Sequence, residues 1–164
     1  MADTRHDDNE KIWSLIKDAR VAMLTSDREG RLYSRPMVAS QKAFDGSLWF
    51  FTRKSSPKVA EVEVHRQVNV AYASSSDNSY VSLSGVASII DDQVAIDAHW
   101  NEWIKTWFPD GKQDPDIALI RVDVDTAEYW DAPSSKMVVA FDYLKARLTG
   151  KTPDMGENRT IEVR

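Results

Sequence analysis

Between residues 21 and 90 the sequence falls into short runs rich in β-branched and aromatic residues, most of them stopped by a tight-turn signal. The runs are VAMLTSD, LYSRPMVASQ, SLWFFTR, VNVAYASS and YVSLSGVASII, and DREGR, FDGS and SSDN stand at three of the breaks. Glycine and aspartate at such breaks supply the backbone conformations of tight turns, so each run reads as a strand. A sixth run, IALIRVDVDTAEYWD, alternates apolar and polar residues from Leu119 to Val124 and reads as a half-buried strand. Helical stretches are inserted between strands without strict alternation. That order predicts a mainly β chain with flanking helices, a six-stranded antiparallel barrel, and fits a doubly wound parallel sheet less well.

Residues 8 to 19 place Ile12, Leu15, Ile16 and Ala19 at helical spacing, with Asp8 or Asn9 as the cap. Short helical patterns follow over 57–65 and over 91–108, where Val94, Ile96, Trp100, Trp103, Ile104 and Trp107 are the candidates for burial, and PDGKQDPD then breaks the pattern. A last helix is expected over 134–148, and a polar, frayed tail from Thr149. This makes one domain over residues 1–150 and a tail over 151–164, within the size of a single core. The absence of cysteine excludes disulfides, thiolate metal sites and a cysteine nucleophile. No apolar run approaches the roughly 18 residues of a membrane span, and the polar start has no signal-peptide core, so a cytoplasmic protein is expected. A net charge of −5 argues against a nucleic-acid partner, which makes any local basic cluster stand out.

Such a cluster follows the third run. FFTRKSSPK places Thr52, Arg53, Lys54, Ser55, Ser56 and Lys58 where a strand turns into a helix. Ser56 before Pro57 is a good helix start, and amides at a helix amino terminus favour an anion, to which Thr52, Ser55, Ser56 and Lys58 add donors and charge. A phosphate monoester suits this chemistry; so does a plainer reading, a capped helix with solvated cations. In YSRPMVAS, Pro36 removes a ladder donor and marks an edge or bulge, from which Arg35 can reach a phosphate or simply meet water.

Taken in order, SRPMVAS, WFFTRKSSPK, YVSLSGVAS and EYWD resemble the flavin-binding segments of the pyridoxamine 5′-phosphate oxidase-like split barrels, in detail the general stress protein 26 branch, over roughly residues 9 to 133. The resemblance implies a flavin mononucleotide cofactor at the interface of a homodimer. It assigns Arg35 to the flavin phosphate, and Pro36, Met37 and Val38 to the isoalloxazine ring. Phe51 and Thr52 fall beside the ring, Ser55, Ser56 and Lys58 at the phosphate, and Trp130 reaches the flavin across the dimer interface. Pro57 stands where the oxidases proper carry arginine, and Tyr80 where they place a glutamine that touches the ring. Trp107 and Phe108 belong to a tryptophan group, with Trp100 and Trp103, that resembles a hallmark of the stress-protein branch. They are expected to close over the flavin or line the dimer interface, or to be core.

The oxidases that act on vitamin B6 hold their substrate with an Arg-x-His segment shortly after this tryptophan, and WDAPSSKMVVAFDYLKARL contains no histidine. Vitamin B6 oxidation is therefore disfavoured. His6, His65 and His99 form no catalytic or metal pattern. Three functions stay open: a flavin oxidoreductase served by a reduced nicotinamide, a flavin-holding or sensing stress protein without turnover, and a related barrel for haem or a deazaflavin. No catalytic residue is assigned.

Overall fold

The computed structural model describes residues 2–131, 147 and 157–163, with side chains from His6 onward. Helix α1 (Ala2–Ile16) precedes β1 (Val21–Arg28), β2 (Arg31–Val38) and β3 (Ser47–Arg53); α2 (Pro57–Val64) leads to β4 (Gln67–Ser74) and β5 (Ser79–Ile90); α3 (Gln93–His99) is followed by β6 (Ile117–Asp131) and β7 (Glu157–Glu162). The strands pair antiparallel in the order β2-β1-β4-β5-β6-β3, and a bridge between Ala39 and Phe50 joins the two ends of that row. Because β2 and β3 meet through so slight a contact, the barrel is split there. Pro36 lies in β2, at the end of the row, where a missing ladder donor costs least.

Ala22, Leu24, Phe50, Val70, Leu83 and Val122 fill the interior, and Ile12 and Ile16 of α1 belong to the same core. A second core lies outside β3 and β6, where Ile96 of α3 and Ile104 and Phe108 of the following loop cover Phe51, Ile117 and Leu119. β3 is thus buried on both faces, which explains why LWFF is continuously apolar rather than alternating.

Four expectations change. α1 begins at Ala2, so neither Asp8 nor Asn9 caps it. The helix expected over 91–108 stops at His99. Asp92 caps its start by accepting from the Ala95 amide at 3.0 Å. Beyond it, the Asn101 side chain accepts from the amides of Trp103 and Ile104 at 3.0 and 3.1 Å and starts a separate 3₁₀ turn, Ile104–Thr106. Of the candidates for burial there, Ile96 and Ile104 are buried and Trp100 is half-buried, whereas Val94, Trp103 and Trp107 are exposed. β6 spans the whole sixth run to Asp131, with β5 paired on one side and β7 on the other. β7 itself stands where a frayed tail was expected: Ile161 and Val163 are buried, and the Val163 amide donates to the Asp125 carbonyl at 2.8 Å. The helix expected over 134–148 lies almost wholly outside the described residues. Among those described, no helix is long and apolar enough to cross a membrane.

Candidate functional site

The third strand, the start of α2, the end of β2 and the loop after α3 converge on one cavity of about 230 Å³. Pro36, Met37, Val38, Phe51, Thr52 and Lys58 line it, with Arg53, Ile104, Trp107 and Phe108. Seven of the twelve residues singled out in the sequence therefore meet here. The lining is mostly apolar, with Phe51 and Phe108 at 6.2 Å between ring centroids and Trp107 57% exposed at the mouth. Arg53 holds the loop side in place. Its Nη2 donates to the Trp107 carbonyl at 2.9 Å, and its guanidinium lies 4.9 Å from the Phe108 ring centroid.

The basic turn is less solvated than it reads. Arg53 pairs with Asp114 and Asp116, and Lys54 with Asp91 at 2.7 Å. Ser55 is committed to the loop as well, donating from its hydroxyl and amide to Asp116 at 2.7 and 2.9 Å. α2 starts at Pro57 with Ser56 as its cap residue, but the Ser56 hydroxyl does not cap an amide; it accepts from Lys58 Nζ at 2.9 Å. Lys58 is the one cation of this turn that makes no ion pair among the described residues. Burial lowers its pKa, and the positive charge of Arg35 lowers it further, against a smaller upward pull from Glu61.

Beneath Lys58 lies a charge cluster that sequence reasoning missed. Glu61, one turn further along α2, is buried. Its Oε2 accepts from Ser26 Oγ at 2.6 Å and from Arg35 Nη2 at 2.8 Å, and its Oε1 from Arg28 Nε at 2.8 Å and from Arg28 Nη2. Arg35 Nη1 also donates to Ser26 Oγ at 2.6 Å. Burial by itself would raise the Glu61 carboxyl; the hydrogen bonds from Ser26, Arg28 and Arg35 outweigh it and hold the pKa at about 2. The only signal in the sequence was a lysine and a glutamate three apart on a short helix, which reads as a solvated surface pair.

Tyr80 and Trp130 are not at the cavity. They face each other across β5 and β6, 43% and 37% exposed. Within this chain Trp130 is not a core residue: Tyr129, its neighbour, takes the buried position.

The model of the family described as pyridoxamine 5′-phosphate oxidase like matches residues 7–154. Protein bli-3 of Neurospora crassa is 30% identical over 161 residues, covering 90% of this chain and 76% of that protein. Among solved structures, a general stress protein 26 of Jannaschia sp. CCS1 superposes with a TM-score of 0.76 at 29% identity, covering 99% of each chain. The general stress FMN/FAD binding protein of Xanthomonas citri superposes with a TM-score of 0.68 at 35% identity, over 77% of this chain and 90% of that one.

Proposed function

This chain belongs to the pyridoxamine 5′-phosphate oxidase-like family, in its general stress protein 26 branch, and on that premise we propose that it binds flavin mononucleotide and passes hydride or electrons from a reduced nicotinamide to a small acceptor. The observation that carries the reading is Lys58, a cation that makes no ion pair among the described residues and lines a mostly apolar cavity beside Phe51 and Thr52. Such a place suits a planar ring joined to a phosphate. The residues present fit that group: Pro36, Met37, Val38, Phe51 and Thr52 would hold the ring, and Lys58, Ser56 and the outer N–H groups of Arg35 the phosphate. Trp107 would screen the ring from water. The redox chemistry is the flavin's own, and the chain's part is to bind and orient it.

A cavity of about 230 Å³ is smaller than the roughly 300 Å³ at which ligand pockets begin. A second copy of the chain would complete it. Val21, Met23, Tyr80 and Trp130 are exposed on the strands β1, β5 and β6, and an apolar surface of this kind suits a homodimer in which the partner's Trp130 reaches the flavin. No histidine or carboxylate lines the cavity among the described residues, which suits hydride passage without proton relay. The same lining supports a second reading, a flavin-holding stress protein without turnover. A cytoplasmic setting, where reduced nicotinamides are supplied, goes with the first.

Fluorescence titration tests the cofactor: flavin mononucleotide binds more tightly than riboflavin, and equal affinities would sink the reading. Stopped-flow reduction by NADH or NADPH separates enzyme from flavin holder. Light scattering checks assembly, where a monomer mass with flavin fully bound contradicts the shared site.

A further inference from the structure

The buried cluster under the cavity lines no part of it, yet it contains Arg35. We infer that Glu61 is a positioning residue for the phosphate end of the site, holding Arg35 from behind so that its free N–H groups and Lys58 meet a phosphate monoester. The inference rests on the flavin mononucleotide reading and goes beyond it to a residue that touches no ligand. Arg35 spends one Nη2–H on Glu61 and one Nη1–H on Ser26, both on the inner side. A guanidinium carries five N–H donors, so three are left. Glu61 has all its acceptor directions toward the cluster taken by Ser26, Arg28 and Arg35, and being buried it gives the arginine little room to swing.

The charges agree with this role. Arg28, Arg35 and protonated Lys58 against one carboxylate leave a net charge of +2, the complement of a phosphate monoester dianion. An arginine already fixed in place loses less freedom when the anion arrives. If Glu61 were only a counter-ion, neutralising it would tighten anion binding. If it positions Arg35, neutralising it weakens the phosphate contact and leaves the ring contacts alone.

Titrations with flavin mononucleotide and with riboflavin on the full chain, as wild type, Glu61→Gln, Arg35→Ala and the double variant, distinguish these. The readout is the ratio of the two dissociation constants, riboflavin over flavin mononucleotide. Glu61→Gln is expected to lower that ratio about tenfold, the size of one charge-assisted hydrogen bond, with riboflavin affinity held. In the Arg35→Ala background it lowers the ratio no further. A ratio unchanged or raised in Glu61→Gln, including a parallel loss of both flavins from a merely structural role, overturns the inference. So does a full additional loss in the double variant. Should Glu61→Gln fail to fold, Ser26→Ala removes the other support of Arg35, and a ratio that does not fall in that variant overturns the inference equally. A wild-type ratio near one sinks the cofactor reading itself; a high wild-type ratio that no variant lowers sinks only the role of Glu61.

Discussion

The two ends of β6 make the sharpest contrast in the molecule. At its start, Ile117, Ala118 and Leu119 pair with Arg53, Thr52 and Phe51 beside the cavity, and the surrounding side chains hold one another: Arg53 grips the loop, and Glu61 grips two arginines. At its end, Trp130 faces Tyr80 from the neighbouring strand, and both stay well exposed. Eleven residue steps of extended chain lead from Leu119 to Trp130, on the order of 35 Å along the strand. One protomer cannot bring both ends to the same small ligand. The first end is preorganised within its own chain, whereas the second is exposed surface, which the proposed homodimer would place against a partner.

The largest expected effect falls at the seam between the ends. The β5–β6 register shifts at Ser84/Gly85, and a Cβ at Gly85 would collide with the Asp123 carbonyl. Backbone cannot rotate away, so Gly85→Ala should cost about 3 kcal/mol, at the top of the range for overpacking, in urea melts. A loss below about 1 kcal/mol would show a seam soft enough to blur the two ends.

Next comes the preorganised end. Glu61→Gln should destabilise the fold by about 3 kcal/mol, the low end for a broken buried ion pair, because Arg28 keeps access to water. Acid provides a second view. The Glu61 carboxyl sits at about 2 against an ordinary 4.5, so its stabilisation is complete above pH 4.5 and drains as pH falls toward 2. Melts from pH 5 to pH 2 should show this slope in the wild type and a shallower one in Glu61→Gln. Equal slopes would place the acid sensitivity elsewhere.

Lys58→Ala should weaken flavin mononucleotide by roughly ten- to a hundredfold and riboflavin scarcely. Affinity of the unsubstituted protein should fall on the alkaline side as Lys58 loses its proton, at lower pH than for an ordinary lysine, since burial and then Arg35 lower its pKa. An unchanged constant would mean that Lys58 is merely solvated.

The smallest effect on stability is expected at the open end. Trp130 is 37% exposed, so Trp130→Ala should cost the apo protein less than about 1 kcal/mol, against the 3 to 5 kcal/mol of a core tryptophan, while flavin affinity falls. A large apo loss with affinity per folded dimer unchanged would erase the contrast between the ends.

Much of this was legible in the residues themselves. Turn chemistry at DREGR and FDGS and the strand-forming runs beside them mark the first strands, and Ser56-Pro57 starts α2 one residue after the cation-rich turn ends. Local signals of this kind act within a few residues, where sequence distance and spatial distance agree. β7 hid because its alternation is only Ile161 and Val163 in a polar tail, too short to read without β6 beside it. Trp103 and Trp107 share spacing with Ile104 and Phe108, yet tertiary packing buries the second pair and exposes the first. By itself, then, the sequence determined a β-rich barrel and the cations of its turn. Only the tertiary structure decided how those cations and the arginines of β1 and β2 are paired: Arg53 and Lys54 with aspartates, Arg28 and Arg35 with Glu61, and Lys58, among the described residues, with a hydroxyl and no carboxylate. Charge pairing depends on distances between residues 26 to 63 positions apart in the chain, and folding sets those distances while composition does not.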